Sequence, residues 1–167
     1  IIGNDTTNGS TQMMTFAAWV LKTDDGGGGY GRILDFGDQD IALFSLSTEV
    51  LQFTAKWNGS AVHWRTDAAA ISEDVWAHVV MTYDASKTGA SEDAYSDPKF
   101  YVNGVLQASS KTSGTKTGTF SGITTNSGYI GNSYNGGSGG RAWGGNLADV
   151  AIWNSVLTEA DIKALYY

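Results

Sequence analysis

The chain has no cysteine and a single proline among 167 residues. The first absence excludes a disulfide and a thiolate metal site, and it means that thiols say nothing about the compartment. Positive charge is also scarce. Ten Lys and Arg against 17 Asp and Glu give a net charge of -7, which opposes non-specific binding to nucleic acid or to an anionic membrane. The longest apolar runs, such as Phe16 to Leu21, are far short of the roughly 20 residues a membrane-spanning helix needs. No charged-then-apolar leader opens the chain. It starts at Ile1 and not Met, so it reads as processed or excised from a longer protein.

What is present is a globular composition: 41% hydrophobic residues and 22 glycines, enough for one domain over residues 1–167 that buries roughly 70% of its unfolded surface. Short alternating segments are separated by Gly, Asn and Asp clusters, the sequence pattern of an all-β sandwich. Thr15 to Lys22 is apolar on both faces, as suits a central strand, and the glycine run before Tyr30 breaks it. Arg32 to Phe36 resumes as a strand. Leu51, Phe53, Ala55 and Trp57 share one face, with Gln52, Thr54 and Lys56 on the other. Asn58-Gly59 then turns the chain into a segment where Val62 and Trp64 alternate with His63 and Arg65, a predicted hairpin.

Trp76 to Tyr83 predicts a further strand with Ala77, Val79, Met81 and Tyr83 inside. Residues Asp84 to Pro98 read as a polar insertion outside the core, and FYVNGVLQ as a hairpin about Asn103-Gly104. Ser109 to Thr119 reads as a solvated connection, and Tyr129-Ile130-Gly131 as a short strand. At the end of the chain Ala148, Val150 and Ile152 alternate with their neighbours, which predicts a buried strand. Thr158 is placed to cap a short helix with Glu159 and Asp161 in its first turn and Ile162 and Leu165 on its inner side.

Four segments in order carry a family likeness: TFAAWVLK with GRILDFGD, WAHVVMTYD, FYVNGVL, and YIGN leading to LADVAIWNSVLTEADIKALY. With these the chain resembles the laminin-G-like and pentraxin-like branch of the concanavalin A-like lectin/glucanase superfamily. The resemblance implies a two-sheet antiparallel jelly-roll sandwich with one short C-terminal helix. It also implies a first strand before Thr15, yet IIGNDTTNGSTQ is a poor strand. The disulfide that vertebrate relatives commonly carry has no counterpart here, which is closer to bacterial or viral versions.

The resemblance further implies a calcium site between two loops. The first loop keeps Asp38 and Asp40, but the second reads Asn132, Ser133, Tyr134 and Asn135 without a carboxylate. Loss of ligand charge weakens calcium affinity, and Asp in such a loop also simply shapes turns. Carbohydrate binding is the other candidate. Tyr30, Tyr134 and Trp143 stand in glycine-rich loops where a ring can face solvent, and Asn132, Asn135 and Arg141 can bond hydroxyl groups beside them. Trp19, Trp57, Trp64 and Trp76 fall inside strands and read as core.

Catalysis has little to stand on. The E-x-D-x-x-E run of the superfamily's laminarinase-type glycosidases is missing, His63 and His78 have no nucleophile elbow beside the chain's serines, and GGGGYGR lacks the Lys-Ser/Thr ending of a phosphate loop. The expectation is a non-enzymatic, extracellular or virion-surface domain that binds glycan through loops at one rim or through the concave sheet. The alternative is a structural or decoration module acting on surface proteins. Neither nucleic acid nor membrane insertion is expected.

Overall fold

The computed structural model describes residues 12–37, 39–87, 91–92, 95–122, 128–133 and 140–167. Among these residues eleven strands form two antiparallel sheets: β1 Met13–Lys22, β2 Tyr30–Phe36, β3 Ile41–Leu46, β4 Leu51–Trp57, β5 Ser60–Thr66, β6 Trp76–Asp84, β7 Lys99–Val102, β8 Val105–Gln107, β9 Ser109–Ser113, β10 Gly128–Ile130 and β11 Gly145–Trp153. The α-helix α1, Glu159–Tyr166, follows. One sheet has the order β11-β1-β6-β7-β8 and the other β10-β2-β3-β4-β5-β9, the two-layer arrangement expected of a jelly roll.

The alternation in β4 and β5 decides which side faces in. Leu51, Phe53, Ala55 and Trp57 of β4 and Val62 and Trp64 of β5 join Phe16, Val20, Val79, Met81, Tyr83 and Phe100 from the opposite sheet in one buried cluster. Burying each large side chain contributes about 1.5–3 kcal/mol. The indole N–H groups that such burial would strand find partners. Trp57 Nε1 donates to the Tyr83 hydroxyl at 3.0 Å and Trp64 Nε1 to Asp97 Oδ1 at 2.6 Å. Both Asn-Gly turns form as the sequence predicts, with positive φ at Asn58, Gly59, Asn103 and Gly104.

Several expectations need correction. The polar 84–98 segment is not wholly outside the core, because Tyr95 is buried edge-on against Trp57 with ring centroids 4.9 Å apart. The run 109–119 is not all solvated connection, since β9 pairs with β5. Trp76 sits at the start of β6 and is 43% exposed. Among the described residues the last strand is an edge, hydrogen-bonded only to β1, and a bulge opposite Ala17–Trp19 leaves Asp149 with φ 48. Two residues there oppose one, so the alternation slips. Leu147 and Val150 pack on the main core while Ile152 is exposed.

The helix begins with a capping box. Thr158 accepts from the Asp161 backbone N–H, and the Asp161 carboxylate accepts from the Thr158 backbone N–H. Ile162 is fully buried in a second cluster with Ala17, Val80 and Tyr101 on the outward face of the five-stranded sheet, whereas Leu165 is exposed. Tyr166 of the same helix covers Trp19 and His78 at centroid separations of 5.8 and 6.2 Å. Among the described residues no helix is long and apolar enough to cross a membrane.

Candidate functional site

The site begins at one end of the β2–β3 hairpin, where Tyr30 pairs with Leu46. Tyr30 is 40% exposed, packs on Phe44 with centroids 6.2 Å apart, and carries the Arg141 guanidinium 4.5 Å above its ring. Arg32, two residues further along β2 and so on the same side, lies 3.8 Å over Phe44. Two cations and two rings thus alternate along this rim, each contact favourable by about 0.5–1 kcal/mol or more when desolvated. The backbone holds the arrangement: the Arg32 N–H donates to the Arg141 carbonyl at 3.1 Å and the Gly27 N–H to the Ala142 carbonyl at 2.9 Å. Gly26 is required where these loops meet, since it has φ +67 and a Cβ there would lie 2.4 Å from the Ala142 oxygen.

Trp143 does not stand on that surface. Its side chain is buried, and its indole N–H donates to the carbonyls of Leu21 and Asn146 at 3.3 and 3.2 Å. The ring lies against the bare face of Gly31, where a Cβ would sit 3.3 Å from it. The expected solvent-facing platform is therefore a core residue that fastens the last loop to β1 and β2. Asn132 is half-buried, with Oδ1 accepting from the Ser133 N–H at 2.9 Å. Tyr134, Asn135 and Asp38 lie outside the described residues. Of the expected binding set, Tyr30 and Arg141 are brought together, and Trp143 underlies them.

The expected metal loop is at the other end of the hairpin, where Phe36 pairs with Ile41, about 15–20 Å away at the usual rise per residue. Asp40 is buried there. Its Oδ1 accepts from Lys56 Nζ at 2.8 Å, its carbonyl accepts from the Lys56 N–H, and its Oδ2 occupies the space left by Gly37, which has φ +63. Gln39 N–H is bonded to Asp35 Oδ1. These partners make Asp40 a residue of the turn, its charge met by an ammonium, and the described residues of this loop do not fit calcium. A triad of carboxylates does occur at the Tyr30 end: Asp25, Glu49 and Glu73 offer oxygens within 4.8 Å of one another. Their centre is filled by the buried Lys22 ammonium, at 2.8, 2.8 and 3.5 Å. Burial works to lower its pKa, but hydrogen bonds and charge from Asp25 and Glu49 outweigh that and hold it above the ordinary lysine value.

Between the two ends runs a polar surface that the candidate set left out. Strand registers align Arg32, Phe44, Gln52, Arg65 and Ser110 in one row across the outward face of the six-stranded sheet. Tyr129, Asp35, Ala42, Thr54 and His63 form the next. The side chains are bonded to one another. Arg65 Nε donates to Gln52 Oε1 at 2.6 Å, and His63 Nδ1 lies 3.0 Å from Gln52 Nε2 and 2.8 Å from Thr54 Oγ1. Burial, then the charges of Arg65 and Arg32, keep the His63 pKa below its ordinary value, so the ring is neutral at neutral pH. The signal for this surface was in the sequence, in the polar halves of the alternating β4 and β5 segments.

A cleft of about 340 Å³ opens elsewhere, near the ends of β6 and β7, lined in part by Asp84, Lys87, Asp97, Lys99 and Glu159. Its acids already have partners: Asp97 takes Trp64 and Lys116, Asp84 takes Ser86, and Glu159 takes Lys163. The two exposed or half-exposed carboxyls with displaced pKa values, Glu92 and Asp161, are both held low by hydrogen bonds, from Lys111 and Thr158 respectively. A general acid needs the opposite shift.

Solved structures of similar shape include a Ruminococcus gnavus sialidase carbohydrate-binding module of family 40 bound to α2,3-sialyllactose, with a TM-score of 0.67 and 16% identity over 94% of this chain and 83% of that one. A heptameric pentraxin from Limulus polyphemus gives 0.63 and 16% identity over 94% and 70%. A Bacteroides ovatus protein named as a candidate carbohydrate binder gives 0.65 and 21% identity over 94% of this chain, which spans only 41% of that protein. No curated protein matches in sequence. The described strands, their two-sheet order and a family model matching residues 2–163 agree: the chain belongs to the laminin-G-type family of the concanavalin A-like lectin/glucanase superfamily.

Proposed function

We propose that the domain binds carbohydrate without chemistry, on the outward face of the six-stranded sheet from the Tyr30–Arg141 rim to Arg65 and His63, and that it works outside the cell, on a cell or particle surface. The observation that carries this is the fixed polar network of Gln52, Thr54, His63 and Arg65 on the same sheet face as the exposed Tyr30 ring, two to three strands away. A sugar offers hydroxyl groups around an apolar ring face. Such a ligand needs pre-positioned donors and acceptors together with one aromatic platform, and little else. Side chains already tied to each other lose less freedom on binding, which favours affinity. The solved relatives of similar shape that are named for sialyllactose or carbohydrate binding support the same class.

A glycan array with the intact chain tests this, followed by Tyr30→Ala. Removal of an exposed stacking ring is expected to weaken glycan binding about tenfold while the melting temperature moves little. An array without signal, or full binding by the variant, counts against the reading. Protein adhesion is the second reading, and edge strands favour it: Val105 and Leu106 of β8 and Ile130 of β10 are exposed on strands that pair on one side only among the described residues. A silent array together with tight capture of a surface protein selects that alternative.

A further inference from the structure

Charge on the outward face of the six-stranded sheet does not balance, and inside the Tyr30–Arg141 rim the surplus rests on one side chain. Three permanent cations stand there. Arg32 Nε donates to Asp35 at 3.2 Å, and Lys56 Nζ donates to Asp40 at 2.8 Å. Arg65 instead donates from Nε to the neutral amide oxygen of Gln52, and among the described residues it is in no ion pair. Asp67 is two residues further along, yet its Oδ1 accepts from the Ser110 hydroxyl at 2.8 Å. Among the described residues Arg141 at the rim also lacks an ion pair but lies over the Tyr30 ring, whereas half-buried Arg65 has neither carboxylate nor ring to offset the desolvation that partial burial costs.

The bonds to Gln52 also fix what this region presents outward. Arginine has no acceptor, so the Gln52 oxygen must point to Arg65 and the amide NH2 to His63. His63 Nδ1 is then an acceptor, and the neutral ring carries its proton on Nε2, a donor with no partner among the described residues. On Arg65 the bond at Nε orients the guanidinium plane, while both terminal nitrogens make no hydrogen bond among the described residues. His63 and Arg65 are two residues apart on β5, so they share one face at about 7 Å. A planar fork of N–H groups with a single imidazole N–H beside it matches a planar two-oxygen anion attached to a hydroxyl-bearing ring.

We infer that this face selects glycans bearing a carboxylate, which the terminal nitrogens of Arg65 hold while His63 Nε2–H donates to the acid or to a neighbouring hydroxyl. The inference rests on the carbohydrate-binding reading above and adds the class of sugar. Arg65 supplies the charge, Gln52 positions both donors, and Tyr30 gives the ring face of an extended ligand its platform.

The test uses an array of neutral, uronic- and sialic-acid-bearing, and sulfated oligosaccharides, probed with the intact chain and with Arg65→Gln and Arg65→Lys. Signal is expected on carboxylated glycans. Arg65→Gln should lower their affinity about 10- to 100-fold, the range of a charge-assisted hydrogen bond, with an unchanged melting temperature, and Arg65→Lys should keep the charge but recover only part of the loss. If Arg65→Gln does not fold, salt decides with the wild-type chain. Raising it from about 0.05 to about 0.5 M must weaken carboxylated glycans and spare neutral ones. Preference for sulfated glycans overturns the carboxylate assignment. Equal binding of neutral and acidic glycans overturns the inference and leaves the carbohydrate reading standing, whereas a wild-type chain that binds no glycan overturns that reading itself.

Discussion

On the five-stranded sheet the outward face is roofed: Ala17, Val80 and Tyr101 lie beneath Ile162, and Trp19 and His78 lie beneath Tyr166 of α1. On the six-stranded sheet the corresponding face carries Arg32, Asp35, Gln52, Thr54, His63 and Arg65, joined to each other by hydrogen bonds and charge. Each face holds one histidine from the middle of a strand. The same alternation of side chains produces both, yet an apolar outward face must be covered by more chain, while a polar one can satisfy itself and still present donors. The helix therefore belongs to the stability of the fold, and the polar face keeps the donors that the proposed recognition requires.

The sharpest way to break this contrast is to weaken the roof. Ile162→Ala removes a fully buried side chain and should cost about 2–5 kcal/mol, read as a lower denaturation midpoint with glycan affinity unchanged in the folded fraction. A smaller effect on stability and a larger one on binding are expected from Gln52→Ala, which deletes the shared partner of Arg65 and His63. It should cost about 1–2 kcal/mol in urea titration and abolish selectivity on the array. An Ile162→Ala domain that lost binding in its folded fraction would erase the division.

The smallest effect compares the two histidines. Burial lowers both pKa values, against a weak opposing pull from Asp149 on His78 and with help from Arg65 and Arg32 on His63. The unfolded chain then takes up protons before the folded one. Stability is full above the ordinary value of about 6.5 and falls as pH drops below it. Melting temperature should decline from about pH 7 to about pH 5, and His78→Gln or His63→Gln should each flatten the decline. A flat wild-type profile would sink this assignment. His78 also has Nδ1 buried without a hydrogen-bond partner among the described residues, so its variant is expected to flatten the curve more.

Local chemistry explains what could be read in advance. The Asn-Gly turns and the alternation of Leu51 to Trp57 are decided within a few residues, and Thr158 caps its helix through Asp161 three positions on. Trp143, by contrast, is buried because its indole reaches Leu21, 122 positions away in sequence, and a glycine-rich neighbourhood gives no sign of that. The bulge at Asp149 likewise depends on β1 and not on the pattern of β11 itself. The polar face of β4 and β5 was visible as a pattern. Its significance depends on pairing across strands, which places Gln52 opposite Arg65 and makes three separate polar residues one unit.

The ammonium of Lys22 at the centre of Asp25, Glu49 and Glu73 gives the rim a counterion on a covalent leash. A free cation leaves its carboxylates when diluted or sequestered, but a tethered one keeps the same local concentration at every dilution. The loops that carry Asp25 and Glu49, and the approach to β6 at Glu73, are thus drawn together by chemistry encoded in the chain. The shape of that end of the sandwich is inherited with the sequence instead of borrowed from the medium.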